Sequence, residues 1–242
     1  MSRINQRIDA SLYKPNSTTG KMKKRKAPSM PPKDKKEANR ILDRLYERSP
    51  TLALCCQMSA LTGLRYSDAS WLTYDDFYDE HDNFKPFFTL CQQKTFRMRV
   101  GRKDNPMSDS EAYRKSSVTI YTNKEIQNIV EESRIFSTGG GFLFSNPRSR
   151  KKLEDGTYIE RPMSVVSADW HHQKVKNDMR LSYTLGTHSW RKFFALLLVQ
   201  NGATVEKIRD LLGQSSLIST NAYLHSFTGD LQQHINELSL GH

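Results

Sequence analysis

Two arginines, a histidine, a lysine and a tyrosine stand along this 242-residue chain where they would suit phosphoryl chemistry. Transfer of a phosphodiester to a hydroxyl without a metal needs cationic charge at the non-bridging oxygens, a nucleophile, and a proton donor for the departing oxygen. Arginine suits the first task, because its planar fork binds two phosphate oxygens at once and keeps its charge. Arg65 follows the apolar run Leu61-Thr62-Gly63-Leu64, where an unpaired guanidinium would be costly, and Asp68 three residues on is a partner for it. Arg191 stands in the first turn of an expected helix, and His188 three residues earlier shares its face, so that an imidazole can reach the same phosphate. Taken singly, an Arg-Asp pair or a His-x-x-Arg is more often structural than catalytic.

These side chains need rigid carriers. From Asp34 the pattern is helical, with Ile41, Leu42, Leu45 and Tyr46 on one stripe as far as Ser49-Pro50. Thr51 to Leu61 is apolar on nearly every face, as a buried core helix is, and Thr62-Gly63 ends it. Phe87, Phe88, Leu90, Val118 and Ile120 are β formers flanking Lys94, Arg97, Arg99, Arg102 and Lys103, which predicts a small antiparallel sheet with a basic hairpin. Asn123 opens a helix with Ile126, Ile129 and Val130, followed by a Gly139-Gly140-Gly141 turn, the apolar Phe142-Leu143-Phe144, and a polar loop from Ser145 to Arg161. Helices resume near Ser164. Thr187 is expected to cap an apolar helix and Thr204 the next, with Gly186, Gly202 and Gly213 between the elements and Tyr223 beyond them. Leu231, Ile235, Leu238 and Leu240 have roughly helical spacing from about residue 228. The expected fold is mainly α with a small antiparallel β-sheet (α+β), over residues 34–242.

The ordered set Thr62-Gly63-Leu64-Arg65-Tyr66-Ser67-Asp68, Lys94-Thr95, Thr187-His188-Ser189-Trp190-Arg191, Leu211-Leu212-Gly213-Gln214-Ser215-Ser216 and Tyr223 resembles the catalytic signature of the tyrosine recombinase (phage integrase) family. The resemblance covers about residues 35 to 230, and its stretch from Thr187 to Tyr223 runs without a gap. It implies that Arg65 and Arg191 clamp a scissile phosphate, that Asp68 supports Arg65, and that His188 contacts the phosphate as acid/base. Lys94 matches the hairpin lysine that protonates the departing 5′ oxygen, although Arg97 and Lys103 lie on the same basic segment. Tyr223 would attack phosphorus to give a 3′-phosphotyrosine, with the two arginines favouring its phenolate. No metal or other cofactor is implied.

Two departures from the pattern carry expectations of their own. Where the family has a second His or a Trp after Leu-Gly, this chain has Gln214, which donates a hydrogen bond but carries neither proton nor charge, so activity should be reduced. The family's helical core-binding domain has no counterpart ahead of residue 34, and the segment in its place is a basic arm, residues 1–33. Residues 1 to 36 hold eleven Lys or Arg against Asp9 and Asp34, and most of the chain's net charge of +11 is there. Such a segment gains most by displacing counterions from a polyanion, and Lys23, Lys24, Arg25 and Lys26, with Arg97, Arg99 and Lys103, are the candidate DNA contacts.

The longest apolar run, Phe193 to Val199, falls short of the about 18 residues of a membrane span, and the polar N-terminus is no signal peptide; a cytoplasmic, nucleoid-associated protein is expected. Cys55, Cys56 and Cys91 make neither a disulfide framework nor a zinc pattern and read as packing residues. His171 and His172 lack a partner at ligand spacing and read as a helix-surface pair.

The resemblance implies site-specific recombination (integration, inversion or resolution) of double-stranded DNA bearing inverted-repeat sites, by a protein monomeric when free and tetrameric on DNA. The segment from about residue 228 is either a helix docked on a neighbour or one folded on its own core. Two rival functions share the fold. A DNA-binding regulator that has lost catalysis is suggested by Gln214, and a type IB topoisomerase would use the same chemistry without a site requirement.

Overall fold

A computed structural model describes residues 28–137 and 141–226. Lys23, Lys24, Arg25 and Lys26 of the expected arm, Gly139 and Gly140 of the glycine turn, and the segment holding Leu231, Ile235, Leu238 and Leu240 lie outside the described residues.

Helix α1 (Lys35–Arg48) begins where the Asp34 carboxylate accepts the Glu37 N–H at 2.7 Å, and it buries Ile41 and Leu45. Helix α2 (Pro50–Thr62) starts with proline, whose missing N–H costs nothing at that position, behind the capping hydroxyl of Ser49. Leu52, Leu54, Cys55, Cys56 and Met58 are buried all round its circumference, so α2 is the axis of the domain. It is covered by α1, α7 (Lys124–Phe136) and α9 (His188–Gln200). Gly63 ends α2 at φ 70°, and a Cβ there would stand 2.5 Å from Phe194 Cδ1, so both backbone and packing require glycine. The short α3 (Tyr66–Ala69) and α4 (Tyr74–Phe77) follow.

Strands β1 (Phe87–Cys91) and β2 (Ser117–Tyr121) pair antiparallel as expected, with Leu90 opposite Val118 and Phe88 opposite Ile120. The basic segment between them is not a hairpin. It forms two helices packed on each other, α5 (Gln93–Val100) and α6 (Asp109–Ser116), which bury Phe96 and Ala112. No turn residue interrupts Gln93–Val100 before Gly101, while Ser108 caps α6 and Lys115 pairs with Glu111 at 2.8 Å one turn back. The expected polar loop, Ser145 to Arg161, is likewise corrected. Strands β3 (Ser145–Lys152) and β4 (Tyr158–Pro162) form a second antiparallel sheet, with a register shift between Asn146 and Arg150 that accommodates Pro147. Strand β3 is largely exposed on both faces and β4 is mostly half-buried without alternation, so neither shows the pattern that marks a strand with one buried face.

Helix α8 (Val165–Asp178), capped by Ser164, corrects the histidine pair. His172 is fully buried: its Nε2 accepts from Trp190 Nε1 at 2.8 Å, which leaves Nδ1 to donate to the Ala168 carbonyl at 2.7 Å. Helix α10 (Val205–Leu212) is capped by Thr204 and ended by Gly213 at φ 62°, and α11 (Leu217–His225) carries Tyr223. Thr187 precedes α9, but its hydroxyl makes no capping bond. The turn is held instead by Asp169, which accepts the Thr187 N–H at 2.9 Å, and by Ser189, which accepts the Gly186 N–H at 3.1 Å. Among the described residues no helix is long and apolar enough to cross a membrane.

Candidate active site

The core helix and the two αL glycines create the pocket into which Arg191 is folded. Its side chain is buried, its Nη1 donates to the Gly63 carbonyl at 2.5 Å and its Nη2 to the Leu212 carbonyl at 2.8 Å. Gly63 and Gly213 are the residues at which α2 and α10 end, so the guanidinium lies at the negative ends of two helices, where a buried cation is best tolerated. Burial, and secondarily the nearby Arg65, still depress its pKa to about 10, which leaves it charged at neutral pH.

Arg65, the N-cap of α3, faces the same space. Its Nη1 donates to the Gln92 side-chain oxygen at 2.5 Å and lies 3.9 Å from Asp68 Oδ2, too long for a direct hydrogen bond but close enough for charge pairing. Asp68 Oδ1 accepts the Gln93 N–H at 3.0 Å, so the carboxylate also ties α3 to the start of α5. Gln92 itself is buried and donates through Nε2 to the Leu212 carbonyl at 3.1 Å. The Leu212 oxygen therefore receives both Gln92 and Arg191. A closed circuit runs from Arg65 through Gln92, Leu212 and Arg191 to Gly63, two residues from its start.

Tyr223 is brought to this circuit by α11, which packs on α9 and α10. It packs against the small apolar cluster of Ala195, Ile208, Leu212 and Leu224, while its phenol is hydrogen-bonded to Arg191 and within the field of Arg65. Burial raises the phenol pKa, and it outweighs the two arginines, which lower it. The two arginines thus act in the expected direction, toward the phenolate, but desolvation of the phenol outweighs them in the protein by itself. Lys192, the neighbour of Arg191, is also buried, with its ammonium 5.9 Å from the Tyr223 ring centroid and donating to Ser226 Oγ at 3.1 Å.

His188 opens α9 and is exposed, but its pKa is lowered by partial burial and by Lys94, Arg65 and Arg191, so it is neutral at neutral pH. That influence also locates Lys94, exposed on the first turn of α5, on the same side of the molecule.

The other predicted residues are less closely gathered. Arg97 donates to Gln93 at 3.5 Å, and Arg99 donates to Ser116 Oγ at 2.5 Å. Lys103 is exposed in the turn between α5 and α6. Gln214 lines an open cleft of about 640 Å³ with Arg99, Lys115 and Lys207, and its buried Oε1 has no hydrogen-bond partner among the described residues. Gln92 and Lys192 were not legible as site residues, because neither type nor spacing marks them.

A profile described as the phage integrase family matches residues 33–229. The fold is similar to that of XerA recombinase, at 15% identity and a TM-score of 0.57 over 92% of this chain and 68% of that one. It is similar to the Tn1549 transposon integrase in complex with transposon right end DNA, at 16% identity and a TM-score of 0.58 over 89% and 67%. A third similar structure is XerH site-specific recombinase bound to palindromic difH substrate in a post-cleavage complex, at 17% identity and a TM-score of 0.55 over 91% and 55%. At such identities the likeness concerns the fold, and the chain spans little over half of XerH. No curated protein matches by sequence.

Proposed function

Because the chain belongs to the phage integrase family and has the tyrosine recombinase catalytic fold, we propose that it cleaves and rejoins DNA through Tyr223, as a site-specific recombinase. The observation that supports this reading is the hydrogen bond between Arg191 and the Tyr223 phenol, with Arg65 beside them, so that a phenol and two guanidiniums share one space. A phosphate entering there would be gripped by both guanidiniums. The Tyr223 oxygen attacks phosphorus, the phenol proton passes to neutral His188, the bond to the 5′ oxygen breaks, and Lys94 protonates that oxygen. The 3′-phosphotyrosine retains the bond energy, and a 5′ hydroxyl of another strand reverses the step. Asp68 holds Arg65, and Gln214 donates its amide to a phosphate oxygen. The incoming phosphate is itself an anion and does not favour the phenolate, so the phenol gives up its proton to His188 as its oxygen attacks.

On this reading the partner is double-stranded DNA with inverted-repeat sites, bound by a monomer that assembles into a tetramer. Residues 34–242 form the catalytic domain, and the basic residues of 1–33, together with Arg97, Arg99 and Lys103, supply sequence-independent affinity. A nicked target duplex, which loses its 5′ hydroxyl after cleavage, should trap a covalent protein–DNA adduct that Tyr223→Phe abolishes. Absence of that adduct, with binding retained, would favour a DNA-binding regulator, the reading suggested by Gln214.

A further inference from the structure

Gln92 lies outside the family signature, yet its side chain links Arg65 to the end of α10, and nothing in its type foretells this. Its backbone is fixed where β1 meets α5: the N–H donates to the Ser116 carbonyl at 2.9 Å, and the carbonyl accepts from Phe96 N–H at 3.0 Å and Thr95 Oγ1 at 3.0 Å. Its side chain reaches Arg65 on one side and the Leu212 carbonyl on the other. The orientation of the carboxamide is unambiguous, because a guanidinium only donates and a carbonyl only accepts. Gly213 leaves room for it, since a Cβ there would stand 3.0 Å from Gln92 Nε2.

We propose that Gln92 is a positioning residue that sets the Arg65 guanidinium at a fixed distance from Arg191, so that the two cations meet a single phosphate. The proposal rests on the recombinase reading. Glutamine is suited to the place in a way its neighbours in shape are not. Glutamate would accept from Arg65 but offer no proton to Leu212, and its charge would compete with phosphate for the guanidinium. Leucine would free Arg65 Nη1 to rotate and take one of two donors from the Leu212 oxygen. Either change leaves Lys94, His188 and Tyr223 untouched.

The test is single-turnover trapping on a nicked target duplex, with Gln92→Glu, Gln92→Leu, Arg65→Lys and the double variant Arg65→Lys/Gln92→Leu. Each Gln92 variant should cleave about 10- to 100-fold more slowly, the loss expected when a charged group is misplaced by a fraction of an ångström to an ångström. Binding of the same duplex should stay within about threefold, because the contact matters most as charge builds on phosphorus. In the Arg65→Lys background, Gln92→Leu should add little further loss, since a residue acting through Arg65 has nothing left to position. Losses that multiply in the double variant, or Gln92 variants that trap at the wild-type rate, overturn the proposal and leave the recombinase reading intact. If Gln92→Leu does not melt cooperatively, the isosteric Gln92→Glu carries the comparison; failure of both to fold makes Gln92 a structural residue and also overturns it. A wild-type protein that binds the duplex but traps nothing overturns the recombinase reading, and this proposal with it.

Discussion

Arg191 is hydrogen-bonded to the phenol of Tyr223 while its other donors hold the carbonyls of Gly63 and Leu212, so one side chain joins the ends of α2 and α10 to α11, the helix that carries Tyr223. Lysine keeps the charge but lacks the planar fork that holds both carbonyls and the phenol in one fixed geometry. Arg191→Lys should therefore lower the first-order trapping rate by about 100-fold or more, the scale of losing a preorganised donor to a transition-state oxyanion. Gel-shift affinity for the same duplex should change far less, and an equal fall in both would place Arg191 in binding alone.

Burial raises the Tyr223 pKa in the free protein, so the phenolate fraction is small at neutral pH and grows as pH rises. The single-turnover rate should climb from about pH 6 to about pH 9 without levelling off, since the ordinary tyrosine value already lies near 10. A plateau reached near neutrality would mean that the phenol is already activated.

The buried His172 should make the fold sensitive to acid. Burial lowers its pKa, opposed in part by the Ala168 bond and Asp169, while His171 acts with burial. An unfolded chain therefore binds a proton that the folded one refuses: this contribution is complete above the unfolded value of about 6.5 and is lost as pH falls below it. Thermal melts at pH 7.5 and pH 5.5 should show a drop that His172→Gln lessens. Trp190→Phe, which removes the donor to Nε2, should cost about 1–3 kcal/mol at pH 7.5, measurable by denaturant titration.

Gly213→Ala meets two obstacles at once, the αL backbone at φ 62° and a methyl directed into the Val118 side chain beside Gln92. Strain of about 1–2 kcal/mol from the backbone alone should be exceeded, and the displacement of Gln92 should slow trapping as well. A Gly213→Ala protein with unchanged stability and rate would contradict the packing of α10 against β2.

Lys192 covers the Tyr223 ring and holds Ser226 at the end of α11. Lys192→Met keeps the aliphatic stem and removes the cation, and should slow trapping by about 10-fold, in line with the loss of a partly desolvated cation–π contact of about 1–2 kcal/mol. Lys192→Arg should restore much of the rate. Equal rates in the three proteins would assign Lys192 to packing only.

Helix boundaries were legible in the sequence wherever they depend on residues within one turn. Asp34, Asn123, Ser164 and Thr204 cap the helices assigned to them, and Gly63 and Gly213 end theirs. Those outcomes follow from a side chain bonding an N–H two or three residues ahead, or from a φ that glycine adopts without penalty. The rule fails at Thr187, where the distant Asp169 does the work. It fails again in the basic segment after β1 and in the polar β3–β4 pair, whose strands show no alternation in burial and so leave no periodic trace.

By itself the sequence determined the family, the helical character of the domain, and the order of Arg65, Lys94, His188, Arg191 and Tyr223 along the chain, because these are properties of residue type and spacing. Only the tertiary structure decided that Gln92 stands between Arg65 and Leu212, partners 27 and 120 residues away, and that Lys192 lies on the tyrosine. It also decided the balance at the phenol, where desolvation outweighs two cations. Both depend on which groups share a water-poor volume, and that is set by how distant segments pack.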